Sequence, residues 1–142
     1  MIAIAFAALA CEEKTALWII PGSTANQLEF GVSHRRGGTK PIEFQILNVH
    51  TCPGASGQEV EYWVLVADSS AVPSARIRYG VPPPGYRSLM GPLSIDPGCY
   101  HAAIAGTGRL QFEVGADGRV LEQPFGGPSH DSLEATRHGV RG

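Results

Sequence analysis

The chain has 142 residues, the length of one domain, and a net charge of −2, so it lacks the basic footprint that would mark a nucleic-acid partner. Its 18 Gly and 11 Pro, about a fifth of all residues, exclude long helices and point to short strands joined by turns. Hydrophobic residues at 43% exclude compositional disorder, and no apolar run approaches the roughly 20 residues of a membrane-spanning helix.

The first ten residues, Met1-Ile2-Ala3-Ile4-Ala5-Phe6-Ala7-Ala8-Leu9-Ala10, are uncharged and apolar, and Cys11-Glu12-Glu13-Lys14 follows at once. A short apolar stretch ending in small residues is the pattern of an export signal. Ala8-Leu9-Ala10-Cys11 resembles the lipobox of bacterial lipoproteins. The resemblance implies a signal peptide over 1–10 and cleavage before Cys11. It also implies a thioether-linked diacylglycerol on that thiol, a lipidated anchor and linker over 11–15, and a partner in the lipid bilayer. The expected location is the bacterial cell envelope, facing the periplasm or the cell surface. The cysteine count fits. Of three cysteines, lipidation of Cys11 leaves Cys52 and Cys99, which an oxidising compartment lets pair.

A β-domain is expected over 16–123. Ala16-Leu17-Trp18-Ile19-Ile20, stopped by Pro21-Gly22, is the first strand. In 28–33, Leu28, Phe30 and Val32 share one face, the period of two of a half-buried strand. Arg35-Arg36-Gly37-Gly38-Thr39-Lys40 reads as a solvated basic loop. The third strand is 42–50, and its alternation shifts parity at Ile46-Leu47, where a bulge is expected. Val60 to Asp68 is apolar on both faces, which predicts a central strand. Arg76-Ile77-Arg78-Tyr79 alternates with the arginines outward. The stretch 80–98 reads as a stiff irregular connection holding Pro82-Pro83-Pro84, with Tyr86 packed on the body. Strands follow at 99–105 and 109–115. Ala116-Asp117-Gly118-Arg119 is a hairpin turn, and Val120-Leu121-Glu122 returns as a short edge strand. The segment 124–142, rich in Gly, His and charge, reads as a disordered tail.

Seven main strands at even spacing predict an all-β, single antiparallel sandwich. Asp96-x-Gly98-x-Tyr100 resembles the corner of immunoglobulin-like sandwiches, in which the tyrosine hydroxyl bonds back to the chain just upstream. The resemblance implies a structural corner at Asp96, Gly98 and Tyr100. It also implies that the strands at 42–50 and 99–105 are antiparallel neighbours. In that arrangement Cys52, just past one strand, meets Cys99 at the start of the other, and a disulfide is expected between them. The usual cysteine of that family falls two residues after the tyrosine, where this chain has Ala102.

His50-Thr51-Cys52 and Cys99-Tyr100-His101 are mirror-image spacings, so one antiparallel register that opposes the cysteines also opposes the histidines. Two thiolates and two imidazoles at His50, Cys52, Cys99 and His101 are a zinc or copper donor set, which gives an alternative reading as a metal-binding β-domain. Ser33-His34 and Ser129-His130-Asp131 contain triad residue types, but adjacency in sequence is not triad geometry. No phosphate-loop, dinucleotide or H-E-x-x-H motif is present. The expected function is therefore non-catalytic and without cofactor: a membrane-anchored binding or structural module for a protein or polymer ligand.

Overall fold

The computed structural model describes residues 15–54, 57–105 and 107–125. The expected leader, Cys11, Ser129-His130-Asp131 and everything past residue 125 lie outside the described residues. Among these residues there is no helix, and so none long and apolar enough to cross a membrane.

Nine strands are present among the described residues. They are β1 (Ala16–Ile19), β2 (Glu29–Ser33), β3 (Ile46–Thr51), β4 (Glu61–Ala67), β5 (Arg76–Arg78), β6 (Tyr86–Met90), β7 (Gly98–Ile104), β8 (Gly108–Val114) and β9 (Val120–Gln123). They form two antiparallel sheets, one ordered β1-β2-β5 and the other β6-β4-β3-β7-β8-β9. A single core lies between them: Leu17, Phe30, Val32 and Ile77 from the smaller sheet meet Leu47, Trp63, Leu65, Tyr100 and Phe112 from the larger. Phe30 and Phe112 touch edge to face across the layers, ring centroids 6.0 Å apart. The arrangement is sandwich-like.

The count of nine corrects the expected seven. The added internal strand, β6, lies inside the stretch expected to be irregular. Its pattern is inverted relative to an ordinary half-buried strand. Ser88 points inward, where it accepts a hydrogen bond from Trp63 Nε1 at 2.8 Å, while Leu89 stands 61% exposed. The expected packing of Tyr86 holds. Its ring stacks on Phe44 at 4.5 Å, its hydroxyl donates to Phe44 O at 3.0 Å, and Phe44 N donates back to it. Burial pushes the Tyr86 phenol up from its ordinary value.

The third strand also starts later than expected. Residues 42–45 lie outside β3, and Ile42 bridges to Ser74 beside β5 instead. The chain is passing between the sheets there. Ile42 and Phe44 fill the core on even positions, Leu47 and Val49 on odd ones. That crossing explains the parity shift at Ile46-Leu47 without a bulge. The irregularity sits further on, between Val49 and His50 in the pairing with β4.

Two local devices position the rest. Trp18 and Gly31 are register partners, and a Cβ on Gly31 would stand 2.2 Å from Trp18 Cε2, so glycine makes room for the indole on the outside of the small sheet. At the β8–β9 hairpin Gly118 takes φ +82°, the left-handed conformation that an Asp-Gly turn supplies, and Gly115 N donates to Arg119 O at 2.9 Å. On this side the two sheets are sewn together. Ile19 N donates to Glu122 Oε1 at 2.9 Å, and Arg36 pairs with the other oxygen of that carboxylate.

Candidate functional site: the outer face of the large sheet

The β3–β7 pairing controls this face. Leu47↔Ile104, Asn48↔Ala103, Val49↔Ala102, His50↔His101 and Thr51↔Tyr100 follow one unbroken register. One step beyond it, Cys52 N donates to Cys99 O at 2.9 Å, and the two cysteines form a disulfide with Cα atoms 5.3 Å apart. Leu47 and Val49 turn inward, so His50 and Cys52 share the outer face with His101 and Cys99. The irregularity at His50 belongs to the β3–β4 pairing alone and leaves the histidines opposed. Their rings meet edge to face with centroids 5.4 Å apart.

Each imidazole is held by neighbouring polar side chains. Asn48 Nδ2 lies 2.9 Å from His50 Nδ1, and Glu59 Oε2 lies 3.5 Å from His50 Nε2. His101 Nε2 lies 3.1 Å from Gln111 Oε1. Gln111 then donates to Gln123 Oε1 at 3.0 Å, and Gln123 donates to Glu113 Oε2 at 2.7 Å. A polar ladder thus crosses β7, β8 and β9. Past β9, Phe125 lies against His101 at 4.6 Å and under the Arg109 guanidinium at 4.5 Å. Glu61, the register partner of His50 on β4, has Oε2 buried with no hydrogen-bond partner.

Beside the cysteines, the Tyr100 hydroxyl donates to Asp96 O at 2.6 Å and accepts from Asp96 N at 3.1 Å. The ring stacks on Phe112 and meets Tyr62 edge to face at 5.1 Å. Burial raises the phenol well above its ordinary value. Gly98, the middle residue of the corner, has φ +150°. These bonds fix the start of β7 and hence Cys99.

The other half of the same face is apolar. Ile46 stands beside Val66, Val64 beside Met90, and Leu89 projects next to them on the edge strand. Ile46 is 41% exposed, Met90 39% and Leu89 61%, with Val64 and Val66 half-buried. Together they form an apolar strip across three strands of this face.

With both sulfurs in the expected bond, the alternative four-donor set is reduced to two histidines. Among the described residues no three His, Cys, Asp or Glu side chains converge as a metal site. The Ser33-His34 pair is not assembled for nucleophilic chemistry: Ser33 is 2% exposed and its hydroxyl donates to Lys40 O at 2.9 Å. Sequence reasoning missed Glu59, Gln111 and the apolar strip. Only the strip had a signal, the apolar residues on both faces of Val60 to Asp68, and these were read as marking a central strand, which the order β6-β4-β3 bears out. Comparison with known proteins gives no match: no family model, no curated protein and no solved structure matches this chain.

Proposed function

We propose that the chain is a lipid-anchored protein of the bacterial cell envelope whose immunoglobulin-like sandwich is a non-catalytic binding module. The observation that carries this reading is the Cys52–Cys99 disulfide. Disulfides persist in exported proteins, and pairing these two leaves Cys11 for acylation behind Ala8-Leu9-Ala10. The sheet order supports the immunoglobulin-like reading: β1-β2-β5 corresponds to strands A-B-E, and β4-β3-β7-β8 to C′-C-F-G. The hydroxyl of Tyr100 bonded to Asp96 corresponds to the tyrosine corner. The apolar strip of β3, β4 and β6 is the surface that meets a protein or polymer ligand.

Expression of the full chain in a bacterium with labelled fatty acid tests the anchor. The label should enter the protein, and Cys11→Ser should lose it and leave the membrane fraction. An unlabelled protein, or a Cys11→Ser form that still sediments with membrane, contradicts the reading.

A further inference from the structure

The closed bridge masks a second arrangement on the same patch. His50, Cys52, Cys99 and His101 occupy four adjacent outward positions of one antiparallel pair, yet with the sulfurs joined no metal-binding group of three is present among the described residues. We propose that reduction of Cys52–Cys99 by a thiol reductant uncovers a tetrahedral zinc site formed by Cys52, Cys99, His50 and His101. The inference is independent of the anchor and extends the module from a surface to a redox-gated metal site.

The dimensions fit. Tetrahedral zinc with bonds of about 2.05 Å to nitrogen places two imidazole centroids about 5 Å apart. The rings of His50 and His101 are already 5.4 Å apart. Zinc bonds of about 2.3 Å to sulfur place two thiolates about 3.7 Å apart. Cysteines whose Cα atoms are 5.3 Å apart reach that separation by side-chain rotation alone. Along each strand the cysteine and histidine are two residues, about 6.8 Å, apart, so all four side chains border one point above the sheet.

The hydrogen bonds fix the tautomer of each ring. Asn48 Nδ2 can only donate, so His50 Nδ1 is the acceptor and Nε2 carries the proton toward Glu59. Gln111 uses its amide nitrogen on Gln123, so its Oε1 accepts and His101 Nε2 is the donor. Both neutral rings therefore carry their proton at Nε2 on an acceptor and their lone pair at Nδ1, which in His50 is engaged by Asn48. That is how ligating histidines are usually oriented, one by a carboxylate and one by an amide. Binding at His50 displaces the Asn48 amide.

The step balances. Two thiols RSH reduce the bridge to two protein thiols and leave as RSSR. One Zn2+ then binds the two thiolates and two neutral imidazoles and releases two protons.

The test uses the full chain with Cys11→Ser, so that only Cys52 and Cys99 report, and Co2+ and Zn2+ as probes. The reduced protein should bind one Co2+, with thiolate-to-cobalt charge transfer and the visible bands of tetrahedral cobalt, and Zn2+ should displace it. The oxidised protein should show neither. The His50→Ala/His101→Ala form should still oxidise to the bridge, but when reduced should bind at least tenfold more weakly with altered bands. If reduction unfolds the chain, Zn2+ should restore its β-sheet circular dichroism, and the double-histidine form should not recover. No stoichiometric metal and no recovery with the reduced protein would overturn the proposal. So would equal binding by the oxidised form, or an unchanged affinity and spectrum without the histidines.

Discussion

Replacing both Cys52 and Cys99 with alanine removes the one described covalent link between β3 and β7. The bridge closes a loop of sequence separation 47. Confining such a loop in the unfolded chain corresponds to about 4 kcal/mol in the chain-entropy model at room temperature. A domain of this size has a total stability of about 5–15 kcal/mol, so the variant should lose a large share of it. With an unfolding entropy of about 2.1 cal/mol/K per residue, the same change lowers Tm by about 15 °C. Urea denaturation followed by circular dichroism measures it. The midpoint should fall, and the slope should rise, because an uncrosslinked unfolded chain exposes more surface. The backbone bond from Cys52 N to Cys99 O survives the substitution, so the folded sheet should keep its register. A loss below about 1 kcal/mol with an unchanged slope would refute the loop-closure reasoning.

Three further outcomes follow from the packing. Tyr100→Phe removes the donor to Asp96 O and the acceptor of Asp96 N while keeping the stacked ring, and should lower stability by about 1–2 kcal/mol in the same denaturation assay. Gly31→Ala places a methyl group against the Trp18 indole and should cost about 1–3 kcal/mol, with a change in the tryptophan near-ultraviolet signal. The companion Trp18→Ala should make the same substitution nearly neutral. Burial raises the phenols of Tyr79, Tyr86 and Tyr100 above 10.0. Above that pH the unfolded chain loses phenolic protons that the folded chain keeps, so stability should fall as pH climbs past 10. Alkaline titration of the phenolate absorbance should show those three groups ionising only as the sheet signal is lost. Early ionisation with an intact sheet would contradict their burial.

What was legible in the sequence was what an antiparallel register fixes by arithmetic. The mirrored His50-x-Cys52 and Cys99-x-His101 spacings need only one correct pairing to bring four residues together, and β3–β7 supplies it. The alternation of Leu28, Phe30 and Val32, and the Asp117-Gly118 turn, were equally local and equally readable. β6 was not, because its inward Ser88 is satisfied by Trp63 and its outward Leu89 is left in solvent, which reverses the usual pattern. Nor did parity alone distinguish a bulge at Ile46 from a chain passing between sheets. The apolar residues on both faces of Val60 to Asp68 gave the central position of β4 but not the exposure of its outer face. Whether Val64 and Val66 are covered depends on a third layer, and nothing local to those residues encodes one. Glu59 and Gln111 escaped notice because their contacts with His50 and His101 depend on side-chain geometry that spacing does not set.

The most direct measurement is mass spectrometry of the full chain purified from bacterial membranes, intact and after digestion without reductant. The account predicts a mature chain beginning at Cys11 and heavier by a diacylglycerol-type modification. It also predicts a linked peptide pair joining Cys52 to Cys99, with no alkylatable thiol. An unmodified chain retaining Met1, with Cys11, Cys52 and Cys99 all alkylated, would contradict both the anchor and the oxidised domain it carries.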